Sequence, residues 1–209
     1  MEAWPDRLRG PWIVVEYMEE YPSRWLVEEI AEAYWSARAH GLGFLVSNAW
    51  DPRLVALLER RGIPYNSRPA SALGCEPSIV LDMRARRRLE PWEAGAAECL
   101  VVGGIMGDYP PRGRGLLLVY SLPGAAVRSL GPEQMSIHTA AKVAALIARG
   151  RRLDEIRLAG PGRFTVETPL GTVEVELPYA YTLGPDGRPE VPERVRRVLE
   201  RGVLWEEYW

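Results

Sequence analysis

The sequence predicts an α/β fold with a mainly parallel sheet. Five short apolar runs of strand length are separated by stretches whose apolar residues recur at helical spacing. Several of these runs lead directly into loops rich in glycine, proline and polar residues, as strands do at the carboxyl edge of such a sheet. After Gly160 the pattern changes to strict apolar–polar alternation, which marks a β-hairpin with one wet face.

The elements follow in order. "WIVVEY" (Trp12 to Tyr17) is a buried strand. "SRWLVEEIAEAYWSARAHG" is an amphipathic helix with Leu26, Ile30, Ala33 and Ala37 on one face and Gly41 as its stop. "FLVSN" (Phe44 to Asn48) is a second strand, and Asp51 then caps a helix that begins at Pro52 and ends at Gly62. "SIVLD" (Ser78 to Asp82), Cys99 to Val102 and Ala125 to Leu130 supply three more strands. "GLLLVYSL" is a strand or a short crossover helix, since periodicity does not decide so short a run. In "MSIHTAAKVAALIARG", Ala140, Val143, Ala144 and Ile147 line one helix face before Gly150. "RFTVET" and "TVEVEL" form the hairpin, "LPYAYTLGPDGRPEVPE" is extended chain with a Pro-Asp-Gly turn, and "PERVRRVLERG" is a short helix. The tail "VLWEEYW" carries exposed-looking aromatics.

The 209 residues suit one large domain or a domain with an appendage. With 47% hydrophobic and 26% charged residues, the composition is that of an ordinary globular protein. No run is long and apolar enough for a membrane helix, and the start "MEAWPDRLRG" has no signal-peptide core, so a cytoplasmic location is expected. Cys75, Cys99, His40 and His138 lack metal-ligand spacing, and the two cysteines read as small buried residues rather than a disulfide framework. Lys142 is the sole lysine among 26 basic residues, and Asn48, Asn66 and Gln134 are the only amides. That bias fits a heat-adapted protein or a GC-rich genome. A net charge of −2 argues against a protein that lives on nucleic acid, although Arg84, Arg86, Arg87 and Arg88 form a basic cluster, either a local RNA contact or a solvated helix face or turn.

Three loops at strand ends are placed to hold a ligand: "LDMRA" after Leu81, "VVGGIMGDYPPRGRG" from Val101, and "LGPEQM" from Leu130. The second is not a Walker A loop, because no Gly-Lys-Ser/Thr follows, and Pro110-Pro111 prevents a dinucleotide-type helix from starting there. Its glycines would let the backbone approach a ligand read by main-chain groups, such as an adenine ring. A tight surface turn is the other reading.

"GGIMGDYPPRGR" resembles the G-G-I-x-G-D-x-P-P-x-x-R signature of a branch of the SPOUT methyltransferases, the branch containing the yeast enzyme that methylates an arginine of a small-subunit ribosomal protein. "VVEYMEE", "LDMRA", "LGPEQM" with Thr139, and "LPYAYTLGPDGRPEVPE" resemble that branch's "IEHMEE", "LDPRA", "LGDKQM…T" and "MPFRYVLDKEGKPILPE", in the same order over residues 12–195. Met83, Tyr109, the run Arg86 to Arg88 and the aromatic tail depart from it.

The resemblance implies an α/β fold, its mainly parallel sheet closed by a deep C-terminal trefoil knot. The SPOUT domain would span 12–150 with the knot within about 78–150, and a small β-rich extension would span 160–209. It implies S-adenosylmethionine as cofactor, no metal, and a cofactor pocket formed by Leu81, Asp82, Gly103, Gly104, Ile105, Gly107, Asp108, Leu130, Gly131, Gln134, Met135 and Thr139. Methyl transfer to arginine needs the guanidinium aligned and relieved of a proton, so Asp108 and Glu19 are the candidate catalytic carboxylates, with Glu20 in reserve. The alternative for Glu19 and Glu20 is an exposed loop before a helix, where acids favour the dipole. A protein-arginine methyltransferase acting as a monomer on a ribosomal protein or subunit is the leading expectation. An RNA methyltransferase and a non-catalytic cofactor-binding partner in ribosome assembly are its rivals.

Overall fold

The computed structural model describes residues 11–107, 112–160, 162–168 and 171–202. The first strand, β1 (Trp12–Tyr17), leads into α1 (Arg24–Ala39), whose amino end is capped by the Ser23 hydroxyl accepting from the Leu26 N–H at 3.1 Å. Leu26, Ile30, Ala33 and Ala37 are all fully buried, as the helical spacing predicted. β2 (Gly43–Ser47) follows, and Asp51 caps α2 (Pro52–Arg60) by accepting from the Arg53 N–H at 2.8 Å. The chain continues through β3 (Ser78–Leu81), α3 (Pro91–Ala96), β4 (Cys99–Gly104), α4 (Gly115–Ser121), β5 (Ala126–Arg128) and α5 (Ile137–Ala148). The open stretch "GLLLVYSL" is therefore helical, as α4. The six-residue α3 is too short to show a helical period, which is why it has no signature in the sequence.

The five strands pair in the order β2-β1-β4-β3-β5, every pair parallel. Alternation along the strands divides the core. Ile13, Val15, Tyr17, Leu100 and Val102 face the layer of α1, α2, α3 and α5. Val14, Leu45, Val80 and Val101 face the other side, with Leu118 and Leu122 from α4 and its end. Both faces of the sheet are covered, which explains why the strands read as continuous apolar runs rather than alternating ones. After β5, Ser129 runs beside the loop that follows β3. Its N–H donates to the Arg87 carbonyl at 2.9 Å and its carbonyl accepts from the Leu89 N–H at 3.0 Å. The chain then returns as α5 against β4 and β1. The sheet is thus mainly parallel with helices on both faces, the α/β arrangement the sequence predicts.

The cysteines depart from expectation. Cys75 and Cys99 are buried as expected, but they are joined in a disulfide that spans 24 residues. The bond ties the segment before β3 to the start of β4, where Ser78 pairs with Cys99. Spacing alone could not announce it, because the two cysteines meet only once β3 and β4 are neighbours. It lies at the amino ends of the strands, opposite the ligand-facing loops. Closing a loop of this length stabilises a fold by about 3 kcal/mol. Cys75→Ser is expected to lower unfolding free energy by about that amount, and reductant should lower the parent to match; chemical denaturation with and without reductant checks both.

Beyond α5, β6 (Leu158–Ala159) pairs antiparallel with β9 (Tyr181–Thr182), and β7 (Gly162–Thr168) with β8 (Gly171–Leu177), forming the expected hairpin. α6 (Glu193–Gly202) closes the described chain. Leu177, Tyr179, Tyr181 and Val195 form a small core of their own, packed on Trp25 of α1. The sole lysine ties this extension to α5: Lys142 Nζ donates to Glu190 Oε2 at 2.6 Å and to Thr182 Oγ1 at 3.1 Å. Among the described residues, no helix is long and apolar enough to cross a membrane. The aromatic tail lies outside the described residues.

Candidate functional site

The loops following β3, β4 and β5 converge on one cavity of about 430 Å³ at the carboxyl end of the sheet. That size falls within the range of small-molecule sites, roughly 300–1,000 Å³. Nine of the predicted residues line it: Leu81 and Asp82 from the first loop, Gly103, Ile105 and Gly107 from the second, and Leu130, Gly131, Gln134 and Met135 from the third.

The first loop is a tight turn pinned by Asp82, which is nearly buried. Its Oδ1 accepts from the Arg84 N–H at 2.8 Å, and its Oδ2 accepts from Arg84 Nη2 at 3.0 Å. A Cβ on Gly115 would come within 2.6 Å of Asp82 Oδ2, so glycine at the start of α4 leaves room for this carboxylate. The basic cluster is thus a turn and not a helix face. Arg84 is paired with Asp82, and Arg87 lies 3.7 Å from Glu93. Arg86 and Arg88 are exposed.

Two acids outside the cavity hold its walls. Glu19, just beyond β1, accepts from the Met106 N–H at 2.7 Å and from Arg114 Nη1 at 3.0 Å with both oxygens. Arg114 Nη2 in turn donates to the Met106 carbonyl. Carboxylate and guanidinium therefore clamp the second loop at both ends of its described part. Glu29, buried in α1, accepts from the His138 N–H at 3.0 Å, binds His138 Nδ1 at 2.7 Å and accepts from Trp25 Nε1 at 3.2 Å. Burial opposes the Glu29 charge, but His138 and the donated hydrogen bonds outweigh it and hold the carboxyl below its ordinary range. This fixes the start of α5 and the third loop before it.

The extension completes the enclosure. The Tyr179 hydroxyl donates to the Gly107 carbonyl at 3.0 Å, and the Ala180 N–H donates to the Gln134 carbonyl at 2.7 Å. Gly107 lies wedged between the two: a Cβ there would stand 2.4 Å from Gln134 Nε2 and 2.7 Å from Tyr179 Cε1. Gln134 Nε2 itself is buried with no partner among the described residues, a donor left for an acceptor group of a ligand. Gly131 adopts φ 109°, a conformation that disfavours any side chain where the third loop turns into the cavity.

Three predicted pocket residues stand differently. Gly104 does not line the cavity. It packs on β1, where a Cβ would lie 2.7 Å from the Glu16 carbonyl oxygen, so strand packing itself requires glycine here. Thr139 is buried beside the cavity wall, its N–H capped by the Ser136 hydroxyl and its own hydroxyl bonded to it at 3.1 Å. Asp108 lies outside the described residues, as does Tyr109. The structure adds Met83, Arg84, Arg112, Arg114 and Glu133 to the lining. Arg114 ends the quoted signature, so its signal was present. Arg84 stands at a matched position of "LDMRA", so its signal was present too; Met83, Arg112 and Glu133 carry none, because a rim is a product of how loops meet.

The donor set suits a polar, partly aromatic ligand. Backbone groups, one orphaned amide and the charged side chains of Asp82, Arg84, Arg112, Arg114 and Glu133 line the cavity beside the apolar walls of Leu81, Leu130 and Met135, and among the described residues no group of three His, Cys, Asp or Glu side chains could hold a metal ion. Residues 12–204 match the family model described as "Protein arginine N-methyltransferase SFM1-like". The chain is 26% identical over 202 residues to protein arginine N-methyltransferase SFM1 of Saccharomyces cerevisiae, covering 90% of this chain and 93% of that one. The crystal structure of yeast arginine methyltransferase SFM1 complexed with SAM superposes with a TM-score of 0.80 at 24% identity, covering 92% of this chain and 91% of that one. The complex with SAH gives 0.78 at 25%, covering 90% and 93%. The crystal structure of dual-specific Trm10 from Thermococcus kodakaraensis shares the fold more distantly, with a TM-score of 0.58 at 16% identity over 69% of this chain and 96% of that one.

Proposed function

The chain belongs to the SFM1-like family of protein arginine N-methyltransferases, and from that premise we propose that it transfers a methyl group from S-adenosylmethionine to an arginine of a ribosomal protein. The observation that carries the cofactor reading is the cradle at Gly107. Gln134 offers a buried amide without a partner, and Gly107 alone leaves space between it and Tyr179. When bound, the cofactor supplies an activated methyl on a sulfonium centre.

The chain's own residues supply placement and proton handling. Backbone groups at Gly103, Ile105 and Gly107 and the third loop hold an adenosine-sized ligand, with Leu81, Leu130 and Met135 as its apolar walls. Glu19 and Arg114 fix the second loop, so that the acceptor meets a preformed donor geometry. Asp108, assigned through the signature it shares with the family, aligns the acceptor guanidinium, and its carboxylate oxygen takes the proton the acceptor nitrogen releases. Glu19 serves the site as a brace, since both of its oxygens are already engaged.

We assign the protein to the cytoplasm as a monomer. Its buried disulfide joins the scarcity of amides as a mark of heat adaptation, because intracellular proteins of hyperthermophiles are the main exception to thiol reduction. The exposed Arg86 and Arg88 keep RNA as the second acceptor class.

Calorimetry with S-adenosylmethionine and S-adenosylhomocysteine in chelator is expected to give micromolar binding. Absence of heat for both compounds would overturn the cofactor reading. Ribosomal subunits incubated with methyl-labelled cofactor should carry the label in protein. Label that nuclease removes would assign the chain to RNA.

A further inference from the structure

Of the charged side chains that line the cavity, Asp82, Arg84, Arg112, Arg114 and Glu133, three are engaged within the protein. Asp82 holds Arg84 through both carboxylate oxygens, and Arg84 Nη2 also donates to the Gly113 carbonyl at 3.3 Å. Arg114 is held by Glu19 and by the Met106 carbonyl. Arg112 and Glu133 are left over. Both are exposed, and neither side chain has a hydrogen-bond or ion-pair partner among the described residues. The backbone beside each is nevertheless fixed. The Gln134 carbonyl accepts from the Ala180 N–H at 2.7 Å, and Met135 pairs with Ala180. Arg112 precedes Gly113, which turns at φ 75° against the Arg84 guanidinium, and then the clamped Arg114. Only the two side chains remain to be ordered when a ligand arrives.

Polarity in the cavity is graded with depth. Its buried orphan donor, Gln134 Nε2, is uncharged, and Leu81, Leu130 and Met135 are apolar. The unpartnered charges of Arg112 and Glu133 stand where solvent reaches. S-adenosylmethionine is graded in the same way. One end is a neutral nucleoside, and the other is an amino acid with a carboxylate and an ammonium. Burying those charges unpaired costs far more than burying the nucleoside, so the amino-acid end belongs on the exposed side. There the two side chains offer a charge of each sign.

We propose that Arg112 binds the carboxylate and Glu133 the ammonium of the cofactor's amino-acid end, so that this pair selects S-adenosylmethionine and S-adenosylhomocysteine over nucleosides that lack that end. This rests on the cofactor reading and deepens it. The Arg112 guanidinium can meet a carboxylate through two parallel N–H donors, and Glu133 can accept from an ammonium. Both contacts are exposed to solvent, so each contributes modestly and is weakened by salt.

Calorimetry on the full chain tests this with S-adenosylhomocysteine, its decarboxylated and deaminated analogues, and methylthioadenosine, which lacks the amino-acid end altogether. The parent should prefer S-adenosylhomocysteine to methylthioadenosine by about tenfold or more at low salt, with a smaller preference at high salt. Arg112→Gln should weaken S-adenosylhomocysteine by about five- to tenfold and leave the decarboxylated analogue and methylthioadenosine within about twofold. Glu133→Gln should weaken S-adenosylhomocysteine similarly and spare the deaminated analogue and methylthioadenosine. Neither variant should shift the thermal midpoint of the free protein, because each removes an exposed charge with no partner to lose. Equal affinity of the parent for S-adenosylhomocysteine and methylthioadenosine overturns the proposal. So does parental S-adenosylhomocysteine affinity in either variant, or a loss of methylthioadenosine affinity equal to that of S-adenosylhomocysteine. Failure of the parent to bind any of the four compounds would instead overturn the cofactor reading beneath it.

Discussion

Replacing Gly104 by valine is expected to destabilise the whole fold by about 3 kcal/mol, with cofactor affinity lost only as a consequence. A Cβ at this position meets the Glu16 carbonyl oxygen at 2.7 Å and the Glu16 carbonyl carbon at 3.2 Å, both backbone atoms. That backbone cannot yield. Glu16 is paired with Ser47 on one side and Gly103 on the other, and its buried carboxylate accepts from the Ser47 hydroxyl and from the Ala70 N–H. Gly103 provides the contrast. A Cβ there meets only side-chain atoms, Ile105 Cδ1 at 3.3 Å and Cγ1 at 3.5 Å and Leu118 Cδ2 at 3.7 Å, and Gly103 itself lines the cavity. Gly103→Ala should therefore keep nearly full stability and reduce S-adenosylhomocysteine binding. Urea unfolding and calorimetry on the two variants separate the roles of two adjacent glycines. Parental stability in Gly104→Val together with lost affinity would place Gly104 at the ligand after all.

What was legible in the sequence follows from the range of the interactions involved. Strand and helix periods are local, so α1 with its buried Leu26, Ile30, Ala33 and Ala37 could be read residue by residue. The Asp51 cap and the Ser78 strand were local as well. The glycine-rich stretch was visible as special backbone, but the reason for each glycine was not. Gly104 yields to β1, Gly107 to Gln134 and Tyr179, and Gly115 to Asp82, and each of those neighbours is distant in the chain. The Cys75–Cys99 bond and the hold of Tyr179 on Gly107 share that character, since they exist only after strands or loops meet. Glu19 is the instructive case. Its residue type and its place after β1 suggested a catalytic acid, but the partner that engages it is 95 residues away.

That partner makes the second large effect. Arg114→Ala is expected to weaken cofactor binding about 10–100-fold, the range for losing a hydrogen-bonded charge that orders a site. Its side chain is about one-third exposed and Glu19's one-fifth, so as a stabiliser of the fold the ion pair alone contributes little. Its consequence lies in the second loop, because Arg114 also donates to the Met106 carbonyl while Glu19 accepts from the Met106 N–H. Without the guanidinium, the loop loses one anchor and Glu19 is left behind it with unbalanced charge. Glu19→Ala should cost a similar factor, and the double variant should be little worse than either, because both act through the same clamp. Glu19→Gln should fall between, since its amide oxygen still accepts from Met106 but no longer balances Arg114. In all four variants transfer rate at saturating cofactor should change less than affinity. A base would behave oppositely: Glu19→Gln would keep the affinity and lose about 10²–10⁴ in single-turnover rate. Measuring both quantities across the cycle therefore assigns Glu19, and an unaltered affinity in Glu19→Ala would return it to the chemistry and leave Asp108 as a second carboxylate there.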